Sequence, residues 1–101
     1  STTEATVDAI MKFLRGDGIK TLHSTFNGEL EVYEYVLDEK FSKLGESLSN
    51  VDLRGKCIIA GVKRSKSESF VPNGLYQFEV GDTILVACSH GNYDAVMEFF
   101  K

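Results

Sequence analysis

One proline and two cysteines in 101 residues leave no basis for a linker-rich or disulfide-knit chain. No apolar run approaches the ~20 residues that a membrane-spanning helix needs, and Ser1-Thr2-Thr3-Glu4 lacks the basic and apolar regions of a signal peptide, so a cytoplasmic location is expected. The net charge of -4 comes without a basic stripe, which argues against a nucleic-acid partner. There is no phosphate-binding P-loop, and Gly16-Asp17-Gly18 is too short for a dinucleotide fingerprint, so any nicotinamide or ATP site belongs to another part of a parent protein. A chain that does not begin with Met reads as a piece of something longer, with Ser1 to Glu4 as its edge.

Catalytic and metal constellations are also missing. The two histidines, His23 and His90, sit in no triad motif, so the chain is not expected to be an enzyme. Cys57, Cys88, His23 and His90 show none of the paired spacings of a zinc site, and no EF-hand loop is present. Both cysteines lie inside apolar runs, where a reduced thiol acts as a small hydrophobe; a disulfide or reactive thiol is the alternative.

What is present suffices for one compact core, since 43% of the residues are hydrophobic. Val7, Ile10, Met11 and Leu14 mark a first amphipathic helix that stops at Gly16. Ile19 to Phe26 and Leu30 to Asp38 read as strands joined by an Asn27-Gly28 hairpin. On the second of these, Leu30, Val32 and Val36 alternate with Tyr33, Tyr35 and Leu37, so one face meets the core and the other a helix or a second subunit. Phe41, Leu44, Leu48 and Val51 predict a short helix with Ser42 as N-cap, against the cost of Gly45. Cys57 to Val62 reads as a central strand buried on both faces. Ser65 to Ser69 is turn-like, Phe70-Val71 is extended before Pro72, and Asn73-Gly74 turns the chain again. Gly81-Asp82 then separates strands Leu75 to Val80 and Thr83 to Cys88. A last helix carries Tyr93, Val96, Met97 and Phe100, with Ser89 or Asn92 as cap, completing an α+β pattern.

Three features can carry binding. Glu29 and Glu31 share a strand face opposite Glu34 and can chelate a cation, although a solvated strand edge is the simpler reading. His90-Gly91 before the last helix can line an anion site, the simpler reading being a loop histidine without a ligand. Lys63-Arg64, at the end of an apolar strand, can meet a phosphate-bearing ligand; a solvated strand end is the alternative.

The segment from Leu53 to Asp82, LRGKCIIAGVKRSKSESFVPNGLYQFEVGD, resembles the signature of the TrkA C-terminal domain, the C-subdomain of the regulator of potassium conductance (RCK). In that family a "Gly-x-x-Ile" strand reaches a basic residue, and "Pro-x-x-x-x-x-x-x-x-Gly-Asp" leads into a last strand and helix. Here Gly55, Ile58, Ile59, Arg64, Pro72, Gly81 and Asp82 hold those places, followed by Ile84-Leu85-Val86 and a helix ending at Phe99-Phe100. Gly45-Glu46-Ser47-Leu48 is similar to the family's "Gly-Lys-x-Leu" helix, with Glu46 where Lys is common.

The resemblance implies a small mixed or antiparallel sheet with flanking helices, with residues 1–28 as an N-terminal helix and lead-in strand and residues 29–101 as the regulatory domain. It implies a cytoplasmic homodimer, peripheral to the membrane beneath a potassium transporter or channel subunit, that gates cation transport by binding a small regulator such as cyclic di-AMP. No cofactor is expected in this domain, a nucleotide being placed on a separate upstream one. The positions matching the cyclic di-AMP contacts of relatives are Ile58, Ile59, Arg64 and Pro72, while Ser65-Lys66-Ser67-Glu68-Ser69 replaces a shorter, Gly-containing turn. The alternative is a purely structural dimerisation module without a ligand.

Overall fold

The computed structural model describes residues 30–53, 55 and 57–101. The expected first helix, the Asn27-Gly28 hairpin, His23, Glu29 and the boundary near residue 28 lie outside the described residues. Within them, four antiparallel strands form one sheet in the order β1-β4-β2-β3. The strands are β1 (Leu30–Val36), β2 (Cys57–Ser65), β3 (Glu68–Phe70) and β4 (Thr83–Ser89), followed by the helix α1 (Tyr93–Phe99). This is the expected α+β architecture.

Alternation in β1 and β4 sends Tyr33, Ile84, Val86 and Cys88 into the core, while Val32, Leu85 and Ala87, on the opposite face, are also buried. Burial on both faces favours the near-continuous apolar run ILVAC of β4, which neighbours β1 and β2. The expected central strand is an interior one, but it extends to Ser65, and its Ile58 is 63% exposed. A register shift between Ile59 and Gly61 in β2 interrupts strict alternation. Ile59 and Val62 therefore both enter the core although three residues apart, and Arg64 follows Val62 onto the same side.

Three expected elements are corrected. Phe41 to Val51 is not an α-helix: turns and one 3-10 turn (Leu48–Asn50) replace it, with Gly45 at φ 81°. The Ser42 hydroxyl donates to the Lys101 carbonyl at 2.8 Å instead of capping a helix. Leu75 to Val80 is not a strand but a single bridge, Gln77 opposite Ser47. Both departures have one cause, because the two segments bond to each other. Gly45 N–H donates to the Phe78 carbonyl at 2.8 Å, Phe78 N–H to Glu46 at 3.2 Å, and Leu48 N–H to Tyr76 at 2.8 Å. The turn expected at Ser65 to Ser69 narrows to Lys66-Ser67, with β3 pairing back onto β2.

Tyr76 and Phe78, alternating along that bridged segment, fill the core from one side, and Phe99 and Phe100 fill it from the other. Phe41 packs edge-on to Phe78 at 5.4 Å, and Tyr35 stacks on Phe100 at 4.2 Å. Such pairs contribute about 0.5–1.5 kcal/mol each beyond area burial. A helix of this length is not stable alone, so α1 is held by the burial of Val96, Phe99 and the following Phe100. Tyr93 and Met97, expected on its apolar stripe, are only about half buried, at 46% and 44% exposure. Asn92 stands at the N-cap, but its amide donates to the Ser89 carbonyl and hydroxyl.

Gly81 closes a turn in which Asp82 N–H donates to the Glu79 carbonyl at 3.2 Å. Its φ of 89° is the value that the third position of a type II turn requires, which glycine adopts without strain. The turn docks on Leu37, the residue after β1, since Gly81 N–H donates to the Leu37 carbonyl at 2.8 Å and Leu37 N–H to the Asp82 carbonyl at 2.9 Å.

Candidate functional site

The turn and the β2 bulge together bring Asp82 and Arg64 face to face. Arg64 Nε and Nη2 donate to the two Asp82 carboxylate oxygens at 3.1 Å each, a bidentate pair. The Tyr76 hydroxyl donates to Asp82 Oδ2 at 2.6 Å, and Arg64 Nη2 lies 3.3 Å from Glu79. Asp82 is 2% exposed, whereas a third of the Arg64 side chain reaches solvent. The guanidinium also lies over the rings of Phe70 and Tyr76, at 5.4 and 5.7 Å. Hydrogen bonding to Asp82 raises the pKa of Arg64 further, and burial, then Asp82, raises that of Tyr76. The cluster is thus a fixed cation held by a buried anion.

Arg64 lines one wall of an open groove of about 340 Å³, with Phe70, Val71, Pro72, Leu75 and Tyr76 around it. The Asn73 side-chain oxygen accepts from Leu75 N–H at 2.8 Å, and the Asn73 carbonyl from Tyr76 N–H at 3.1 Å, which shapes the far rim. Of the four residues expected to hold a ligand, Arg64 and Pro72 share this groove. Ile59 is buried in the core, and Ile58 projects from the opposite face of the sheet. The solvated strand end considered for Arg64 is not what forms.

Asp82, Tyr76, Glu79 and Phe70 were not singled out as neighbours of Arg64. One signal was available: an aspartate directly after a turn glycine and directly before an apolar strand is placed to be buried, and a buried carboxylate calls for a cation.

A second polar cluster occupies the other end of β4. Glu31 is 8% exposed, accepts from the Tyr33 hydroxyl and lies 2.8 Å from His90 Nδ1. Its carboxyl is held below the ordinary value first by the Tyr33 hydrogen bond, against burial, with further help from His90 and the Gly91 backbone. Burial, then the neighbouring carboxylate, raises the Tyr33 hydroxyl. The solvated-edge reading of Glu31 is corrected, because its carboxylate is buried; the loop residue His90 is its partner within the chain.

Cys57 and Cys88 stand opposite each other across β2 and β4, buried and not joined by a disulfide. Burial, with Cys57 alongside, pushes the Cys88 thiol up to about 12. Among the described residues, no group of three or more His, Cys, Asp or Glu side chains is placed to hold a metal, and no helix is long and apolar enough to cross a membrane.

Two curated relatives come from Methanosarcina mazei. The chain is similar to the Trk system potassium uptake protein TrkA homolog 1, at 33% identity over 102 residues, and to homolog 2, at 25% over 101 residues. Each match covers 100% of this chain and 22% of the relative, so the chain spans about a fifth of their length. Among solved structures, an RCK domain with cda is 28% identical with a TM-score of 0.51, over 68% of this chain and 91% of that one. S. agalactiae BusR in complex with its busAB-promotor DNA is 18% identical with a TM-score of 0.52, over 97% of this chain and 46% of that one, a likeness of fold alone. The TrkA-C domain model matches residues 32–101, which contain the whole Arg64–Asp82 cluster and every described strand except the first two residues of β1. On that match the chain belongs to the TrkA-C domain family.

Proposed function

We propose that this chain is a regulatory domain of a potassium uptake system, one that dimerises and binds a small phosphate-bearing regulator such as cyclic di-AMP. The observation that carries the reading is the groove in which a partly exposed Arg64 guanidinium, fixed by Asp82, meets Pro72 and the exposed side chains of Val71 and Leu75. A cation oriented beforehand loses little entropy on meeting a phosphate, and the apolar rim suits a base. The potassium-uptake relatives, and the likeness to an RCK domain solved with cda, support the same reading. Ile58, 63% exposed in a single copy, suits an interface with a second one.

A ligand regulates only if it binds two states of the parent protein with different affinity, so the domain's part is to supply that difference. The membrane transporter is the partner that this function requires, with the domain on the cytoplasmic side.

A second reading is favoured by the ion pairs themselves. Arg64 is already neutralised by Asp82 and Glu79, as suits a structural dimerisation module with an empty groove. Calorimetric titration with cyclic di-AMP separates the two. The regulatory reading expects saturable binding, weakened about tenfold by Val71→Asp, which sets a negative charge on the groove rim. Val71 is exposed, so the unfolding midpoint of that variant should hardly move. A concentration-dependent dimer in sedimentation that shows no heat with the ligand supports the structural module instead.

A further inference from the structure

A second cavity, of about 310 Å³, lies under α1 and away from the Arg64 groove. Its walls are apolar: Leu53, Cys57 and Val86 on one side, Val96 and Phe99 of the helix on the other. At its edge stands Lys43, whose Nζ donates to the Phe99 carbonyl at 2.8 Å and lies 4.6 Å from the centre of the Phe99 ring. An ammonium has three donors, and the carbonyl uses one. No described carboxylate is paired with Lys43. The acids on the same rim are otherwise engaged, Glu98 with Lys101 at 3.0 Å and Asp52 in an interaction of its own.

We propose that this cavity binds a small amphipathic carboxylate, its apolar body between Leu53, Val86 and Val96 and its anionic head on Lys43 Nζ. An apolar interior with a few polar groups at its edge is the usual make-up of a small-molecule site. A single cation suits a monoanionic carboxylate better than a phosphate, which draws on two or more donors from basic groups. The ring beneath the ammonium and its fixed carbonyl partner hold the charge in position before the ligand arrives. The site is independent of the Arg64 groove, so a failure of one reading leaves the other standing.

The test is two-dimensional NMR of the whole 101-residue chain, labelled with nitrogen-15, titrated with octanoate and separately with octanol. Octanoate should shift the amides of Leu53, Cys57, Val96 and Phe99 saturably and bind about tenfold tighter than octanol, the margin expected of one charge-assisted hydrogen bond. Lys43→Met should bring octanoate to the affinity of octanol, while Lys43→Arg should retain the preference. Should Lys43→Met fail to fold, the comparison of the two probes on the unaltered chain still decides. Equal affinity for the two probes, shifts confined to the Val71 and Leu75 rim, or no shifts at all would each overturn the proposal.

Discussion

The two ends of β4 carry clusters built to one plan with different basic partners. At one end Asp82 accepts from Tyr76 and pairs with Arg64; at the other Glu31 accepts from Tyr33 and pairs with His90. They stand roughly 20 Å apart along the strand. Arginine keeps its charge at any physiological pH and presents a planar fork, so the Asp82 end is bidentate and permanent. Histidine offers one nitrogen and a charge that depends on pH, and here its ring is 68% exposed. The difference teaches which buried carboxylate fixes the fold. Asp82 depends on a charge that never leaves, whereas Glu31 is held first by a tyrosine hydroxyl and only then by the His90 ring.

The sharpest way to break this contrast is Asp82→Ala, which strands a partly buried guanidinium and the Tyr76 hydroxyl. A loss of about 3–5 kcal/mol is expected in urea unfolding, the usual result of removing one partner from a buried pair. A loss below about 1 kcal/mol would place the cluster among ordinary surface pairs.

Glu31→Gln should cost less, about 1–3 kcal/mol at neutral pH, because the amide can still accept from Tyr33. Its pH dependence sharpens the comparison. The folded-state pKa of Glu31 lies below the ordinary 4.5, so its contribution is complete above that value and fades as pH falls through the lower folded one. The stability difference between the unaltered chain and Glu31→Gln, measured by thermal unfolding from pH 7 downward, should therefore narrow below about pH 4.5. A gap that widens on acidification would mean that burial, and not the Tyr33 bond, governs this carboxyl.

The smallest effect belongs to His90→Gln, where an exposed partner is lost while Tyr33 and the Gly91 backbone remain. About 0.2–1 kcal/mol is expected, within the range of exposed ion pairs.

Legibility in the sequence followed the physics of each segment. β1, β4 and α1 were readable because a two-residue or helical repeat of apolar side chains is a local property that survives folding. Phe41 to Val51 and Leu75 to Val80 were misread because their hydrogen bonds go to each other across the fold, and propensity within either segment carries no record of the partner. Of the candidate groove, Arg64 and Pro72 were visible as family positions. Ile58 and Ile59, adjacent in sequence, point to opposite faces of the sheet, and only one residue of that pair lies on the core side with Arg64.

By itself the sequence determined the α+β class, the apolar strands, the Gly81 turn and the family, since each rests on residue types at fixed spacing. The tertiary structure alone decided that Asp82 is the buried anion for Arg64. The bulge at Ile59 to Gly61 shifts the register, puts Arg64 on the core side, and lets residues eighteen positions apart close a bidentate pair. It decided equally that Glu31 and His90 meet, for their contact depends on β1 pairing with β4, and strand pairing is a long-range choice that no local pattern contains.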